Sequence, residues 1–97
     1  MKVIQLDEYY PIKLCDDGVA FEVKPKRRLS LDLPALKEKI VEATGMTARV
    51  CLPVLLLLQG TNGQAINIYP EGRLLLRKFP SKSDAEEILK LLSSLFF

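Results

Sequence analysis

In NIYPEGRLLLRKF, residues Asn67 to Phe79, a reversal separates two short extended segments. Proline pre-sets the backbone for the second position of a type I or II turn, and glycine tolerates the corner that closes it, so Tyr69-Pro70-Glu71-Gly72 predicts a four-residue turn. Beyond the turn, Leu74 and Leu76 alternate with Arg73, Leu75, Arg77 and Phe79, which is the two-residue period of a strand. Strands are therefore predicted over 65–69 and 73–79, paired as neighbours. One face of the second strand is purely aliphatic, and such a face belongs under helices.

Working outward, the turn cluster QGTNG closes a leucine-rich segment, Arg49 to Gln59. Leucine favours helix, but Pro53 interrupts the segment, and a single strand is the better reading. Before it, SLDLPALKEKIVEATG carries Asp32 as a helix N-cap and Pro34 in the first turn. Leu36, Ile40 and Ala43 follow at helical spacing, with Gly45 as the stop. The first strand predicted lies in PIKLCDDGVAFEV, after a turn at Asp16, Asp17 and Gly18. Val19, Phe21 and Val23 share one face of it, and Ala20, Glu22 and Lys24 the other. The last segment, SKSDAEEILKLLSSLFF, offers two overlapping capping boxes, Ser81 with Asp84 and Ser83 with Glu86. Behind them runs a stripe of Ala85, Ile88, Leu89, Leu92, Leu95 and Phe96.

The order strand, helix, strand, strand, strand, helix leaves connections too short for repeated crossovers. The expectation is an α+β fold: a single, mostly antiparallel sheet with two helices packed on one face, as one domain spanning 1–97.

Composition narrows the function. The chain is 48% hydrophobic and 27% charged with a net charge of +2, a globular balance with no overall polyanion signal. Histidine is absent, which removes Ser-His and Cys-His nucleophile pairs and any histidine metal ligand. Cys15 and Cys51 stand far apart in sequence, fitting neither a metal pair nor a secreted disulfide framework. Asp7 with Glu8, and Asp16 with Asp17, lack a third acid to close a hard-cation site, and Asp84, Glu86 and Glu87 suit the first turn of a helix. Gly60 and Gly63 lack the lysine and hydroxyl of a phosphate loop. MKVIQLDEYY has no secretory apolar stretch, and the run VCLPVLLLL is too short to span a bilayer. The expectation is a cytoplasmic, non-enzymatic protein with no cofactor and no metal.

What remains is a surface. With Leu74 and Leu76 directed to the helices, Asn67, Tyr69, Arg73, Leu75, Arg77 and Phe79 share the opposite face with Ala20, Glu22 and Lys24. The segment VCLPVLLLL is apolar on both sides, placing Leu55 and Leu57 on that same face, where a leucine row calls for a cover. A protein partner or a second copy is one cover, and a fold-back of Met1 to Pro11 is another. The run KPKRR adds Lys24, Lys26, Arg27 and Arg28 as phosphate contacts for a nucleic acid, or as a solvated loop.

Two family resemblances cover most of the chain. LCDDGVAFEVKPK, LDLPALKEKI, INIYPEGRLLLRK and DAEEIL resemble the small C-terminal domain behind the adenylylating domain of ThiF/MoeB-type activating enzymes, with its aromatic-Pro-Asp-Gly-Arg turn matched by Tyr69 to Arg73. That resemblance implies an accessory module of ubiquitin-like or sulfur-carrier activation, with the catalytic groups in a larger domain outside this chain. VAFEVKPKRRLSLDLPAL, AINIYPEGRLLL and SKSDAEEI are similar to one repeat of the TATA-binding protein. This second resemblance implies nucleic-acid binding by the open sheet of a dimer, Tyr69 taking the place of the wedging aromatic. Arg77 stands where a strand contact residue is asparagine or threonine, and leucine near Leu57 stands where an arginine is expected.

Overall fold

Leucine, isoleucine and valine at alternate positions of neighbouring strands produce the sheet. The computed structural model describes Tyr9, Tyr10, Lys13, Leu14 and residues 20–61 and 63–96. The elements are β1 (Lys13–Leu14), β2 (Ala20–Val23), α1 (Leu33–Thr44), β3 (Thr47–Leu52), β4 (Leu55–Gln59), β5 (Ala65–Ile68), β6 (Leu74–Arg77) and α2 (Lys82–Phe96). They form one sheet in the order β1-β2-β6-β5-β4-β3, antiparallel at every pairing. The class is α+β, as the sequence predicts.

Register sorts the side chains. Val23 pairs with Leu74, Leu74 with Ile68, and Ile68 with Leu56; one step along, Leu76, Ile66 and Leu58 are in line. All seven are fully buried and meet Leu33 and Ile40 of α1 and Ala85, Leu89 and Leu92 of α2 in one core. Both helices therefore cover the same face.

The helix signals act as the sequence predicts. The Asp32 carboxylate accepts from the Ala35 amide, Pro34 sits in the first turn, and Gly45 closes α1 at φ 71° while donating to the Val41 carbonyl. Ala43, expected on the buried stripe, is exposed: the face of α1 turned to the sheet runs through Leu33, Leu36, Ile40 and Val41. At α2, the Ser81 hydroxyl accepts from the Asp84 amide at 3.2 Å and donates to its carboxylate at 3.0 Å. Ser83 lies inside the helix, so only the first of the two predicted capping boxes is the cap.

Two of the strand expectations are corrected. The segment Arg49 to Gln59 is not one strand but a hairpin: β3 and β4 reverse at Pro53-Val54, with Leu52 opposite Leu55. Proline, lacking an N–H, is expelled from the ladder into the turn. Strand β3 also carries a bulge between Ala48 and Val50, so Arg49 falls in the irregularity of an edge strand, a device that discourages further pairing. Finally, β6 ends at Arg77, because Lys78 adopts a left-handed φ of 60°. That residue breaks the alternation, and Phe79 packs against the core beside α2 instead of joining the open face.

The turn of the opening stretch is tied to the rest of the chain. Gly72, at φ 103°, donates to the Tyr69 carbonyl, and Tyr69 donates to Arg73, the pattern of a type I turn followed by a left-handed residue. Leu29 and Leu31 donate to the carbonyls of Glu71 and Pro70, and the Tyr9 hydroxyl donates to the Gly72 carbonyl at 3.0 Å. Tyr9 bridges Pro25 and is 2% exposed within the core. Of the segment proposed to fold over the open face, Tyr9 thus packs on the helix side. Residues 1–8, 11 and 12 lie outside the described residues, as do Cys15, the turn predicted at Asp16, Asp17 and Gly18, Val19 of the first predicted strand, Asn62 and Phe97. Cys51 is a free thiol packed against the core.

Candidate functional site

The face away from the helices is built by two lines of register. One line runs Glu22, Leu75, Asn67, Leu57 and Val50; the next runs Ala20, Arg77, Ala65, Gln59 and Thr47. Tyr69 and Arg73 extend it beyond the strand ends, and Leu52 with Leu55 completes the β3–β4 side. Of the residues assigned to this surface from the sequence, Asn67, Tyr69, Arg73, Leu75, Arg77, Leu55 and Leu57 are half-buried, Ala20 is buried and Lys24 exposed, while Phe79 has left the face for the core.

A chain of polar contacts crosses the face. Arg77 Nη2 donates to Asn67 Oδ1 at 3.0 Å, and Asn67 Nδ2 donates to the Tyr69 hydroxyl at 3.3 Å. The Arg73 guanidinium lies 4.0 Å from the centre of the Tyr69 ring. It also faces Glu22 at 3.5 Å and Glu71 at 3.6 Å. Arg73 therefore meets acidic side chains within its own chain. Arg77 differs: its Nε is buried and has no hydrogen-bond partner among the described residues.

On the β3–β4 side the face is aliphatic and runs onto the hairpin tip, where Leu52 is 49% and Val54 65% exposed. On the opposite side of Leu57 and Leu75 the surface sinks into a recess of about 770 Å³, bordered by Ala20, Ala65, Arg49, Arg77 and Lys78. Arg49, Lys78 and Val54 went unnoticed in the sequence as surface residues. Their placement depends on the bulge, the left-handed residue and the hairpin turn, none of which alternation alone reveals.

The cations Lys24, Lys26, Arg27 and Arg28 are exposed on the loop after β2, around a shallow hollow of about 260 Å³ that includes Arg73 and Glu71. Lys26 Nζ stands 6.0 Å from the Tyr10 ring. Among the described residues, no group of three or more Cys, Asp or Glu could hold a metal, and no helix is long and apolar enough to cross a membrane. Comparison of the chain with protein-family models, curated proteins and solved structures gives no match.

Proposed function

We propose that this chain is a non-enzymatic binding module that docks a protein, or a second copy of itself, on the open face of its sheet. The observation that carries the reading is the aliphatic strip Val50, Leu52, Leu55 and Leu57, continuous with an exposed Val54. Apolar surface left in water costs about 25 cal/mol per Å², which a covering partner recovers. A ubiquitin-like or sulfur-carrier protein is the partner class supplied by the resemblance to activating-enzyme C-terminal domains. The test is light scattering on a concentration series, with Leu57→Asp beside the native chain. Concentration-dependent dimers that disappear in Leu57→Asp support the second-copy form. A monomer at every concentration rejects it, and partner capture that ignores Leu57→Asp rejects the face itself.

The rival is nucleic-acid binding through Lys24, Lys26, Arg27, Arg28, Tyr69, Arg73 and Arg77, favoured by the four exposed cations around one hollow. Against it, Arg73 covers the Tyr69 ring face on which a base stacks and is already paired with two carboxylates. Titration with duplex and single-stranded oligonucleotides decides: binding at ~50 mM salt that weakens steeply with added salt supports this reading, and no binding there removes it.

A further inference from the structure

We infer that the recess beside Leu57 and Leu75 is a binding site for a small organic acid, a carboxylate carried on an apolar body. The inference is separate from the docking reading, since it concerns the opposite side of Leu57 from the hairpin tip and needs no second protein.

The shape follows from register. Arg77 stands between Ala20 on one neighbouring strand and Ala65 on the other, and two methyl groups leave a depression where larger side chains would fill the sheet surface. Its volume of about 770 Å³ lies inside the range of roughly 300–1,000 Å³ that small-molecule sites occupy. Leu57 and Leu75 supply the apolar wall. Arg49, Arg77 and Lys78 supply three positive charges, and among the described residues no Asp or Glu lines the recess to balance them.

Arg77 gives the direction. One terminal nitrogen is held by Asn67 at 3.0 Å, so the side chain is positioned, yet Nε has no acceptor among the described residues. A buried, unpaired donor costs stability, and a methionine or leucine at this position would carry no such cost. A carboxylate entering the recess supplies the acceptor, the guanidinium turning to present its Nε and terminal nitrogens as a two-pronged donor. The ligand's hydrocarbon then lies on Leu57 and Leu75. Arg73, with two carboxylates already beside it, offers no equivalent site.

The probe is octanoate, titrated into the isotope-labelled full chain and followed by amide chemical shifts, with octanol as the uncharged control. Expected are shifts at Leu57, Ala65, Leu75 and Arg77, with octanol at least tenfold weaker and Arg77→Met weakening octanoate at least tenfold. Arg77→Lys, which keeps the charge and loses the fork, falls between. Ala65→Trp fills the recess and abolishes binding, which keeps the test decisive if Arg77→Met fails to fold. Absence of shifts, equal affinity for octanol, or undiminished binding by Arg77→Met or Ala65→Trp overturns the site. If octanoate fails while Leu57→Asp still disrupts association, the small-acid site falls and the docking face stands.

Discussion

Gly72 is constrained from several directions at once. Its φ of 103° is outside the range of ordinary side chains, and a Cβ built there lies 2.7 Å from Leu29 Cδ1 and 3.1 Å from Pro25 Cγ. Gly72→Ala combines backbone strain with overpacking, and a loss of about 2–4 kcal/mol is expected in urea denaturation. An unchanged midpoint refutes this account of the turn. Tyr9, whose hydroxyl bonds to the same glycine's carbonyl, gives a pH prediction. Burial raises its phenol well above the ordinary value of 10.0, so the unfolded chain ionises first. The stabilisation is fully present below pH ~10 and is lost as pH rises from there, with a slope approaching about 1.4 kcal/mol per pH unit. Tyr9→Phe lacks that slope. The stability gap between native chain and variant should therefore shrink as pH rises from 9 to 12, and a constant gap argues against the burial effect.

The β3–β4 hairpin shows where sequence reading ends at the level of an element. Two-residue hairpins favour left-handed turn residues such as Asn-Gly, because those turns match the twist of the strands. Here Pro53 and Val54 make the reversal, and neither has a positive φ. Pro53, at the second turn position that Pro70 also holds, was the one signal of the reversal, and with no glycine or asparagine beside it the leucines on both sides hid the break. Replacing Pro53-Val54 by Asn-Gly is expected to stabilise the chain by about 0.5–1 kcal/mol in thermal unfolding, while removing the exposed valine and weakening docking on that side. A less stable variant would show that the proline turn suits the strands as it stands. Where one residue dominates its local backbone, the sequence was legible: Asp32 and Gly45 bound α1, Ser81 starts α2, and Pro70 with Gly72 makes the turn. The site residues were legible for the same reason, since alternation assigns faces wherever a strand is regular. Phe79 escaped because a single lysine at φ 60° shifts the alternation after Arg77, and lysine carries no sequence mark of that conformation.

At the scale of the whole molecule, the sheet joins two parts of the chain that are distant in sequence. Strands β3 to β6 form a meander of neighbours, whereas β2 reaches its partner β6 only after α1 has crossed to the far edge. Hydrogen exchange should therefore be slowest in β4, β5 and β6, which are paired on both sides, and faster for the Tyr10 amide that bonds to the Lys24 carbonyl near the sheet's other edge. Equal protection across these amides would mean that the sheet opens only as a unit. The strand order also bears on synthesis. When β2 leaves the ribosome it has no strand to join on its β6 side, and at roughly 5–20 residues per second it waits several seconds for Leu74–Arg77 to follow. During that interval Phe21 and Val23 are without Leu76 and Leu74, their partners on β6, so nascent chains halted before Leu74 should be the ones that chaperones hold and proteases cut.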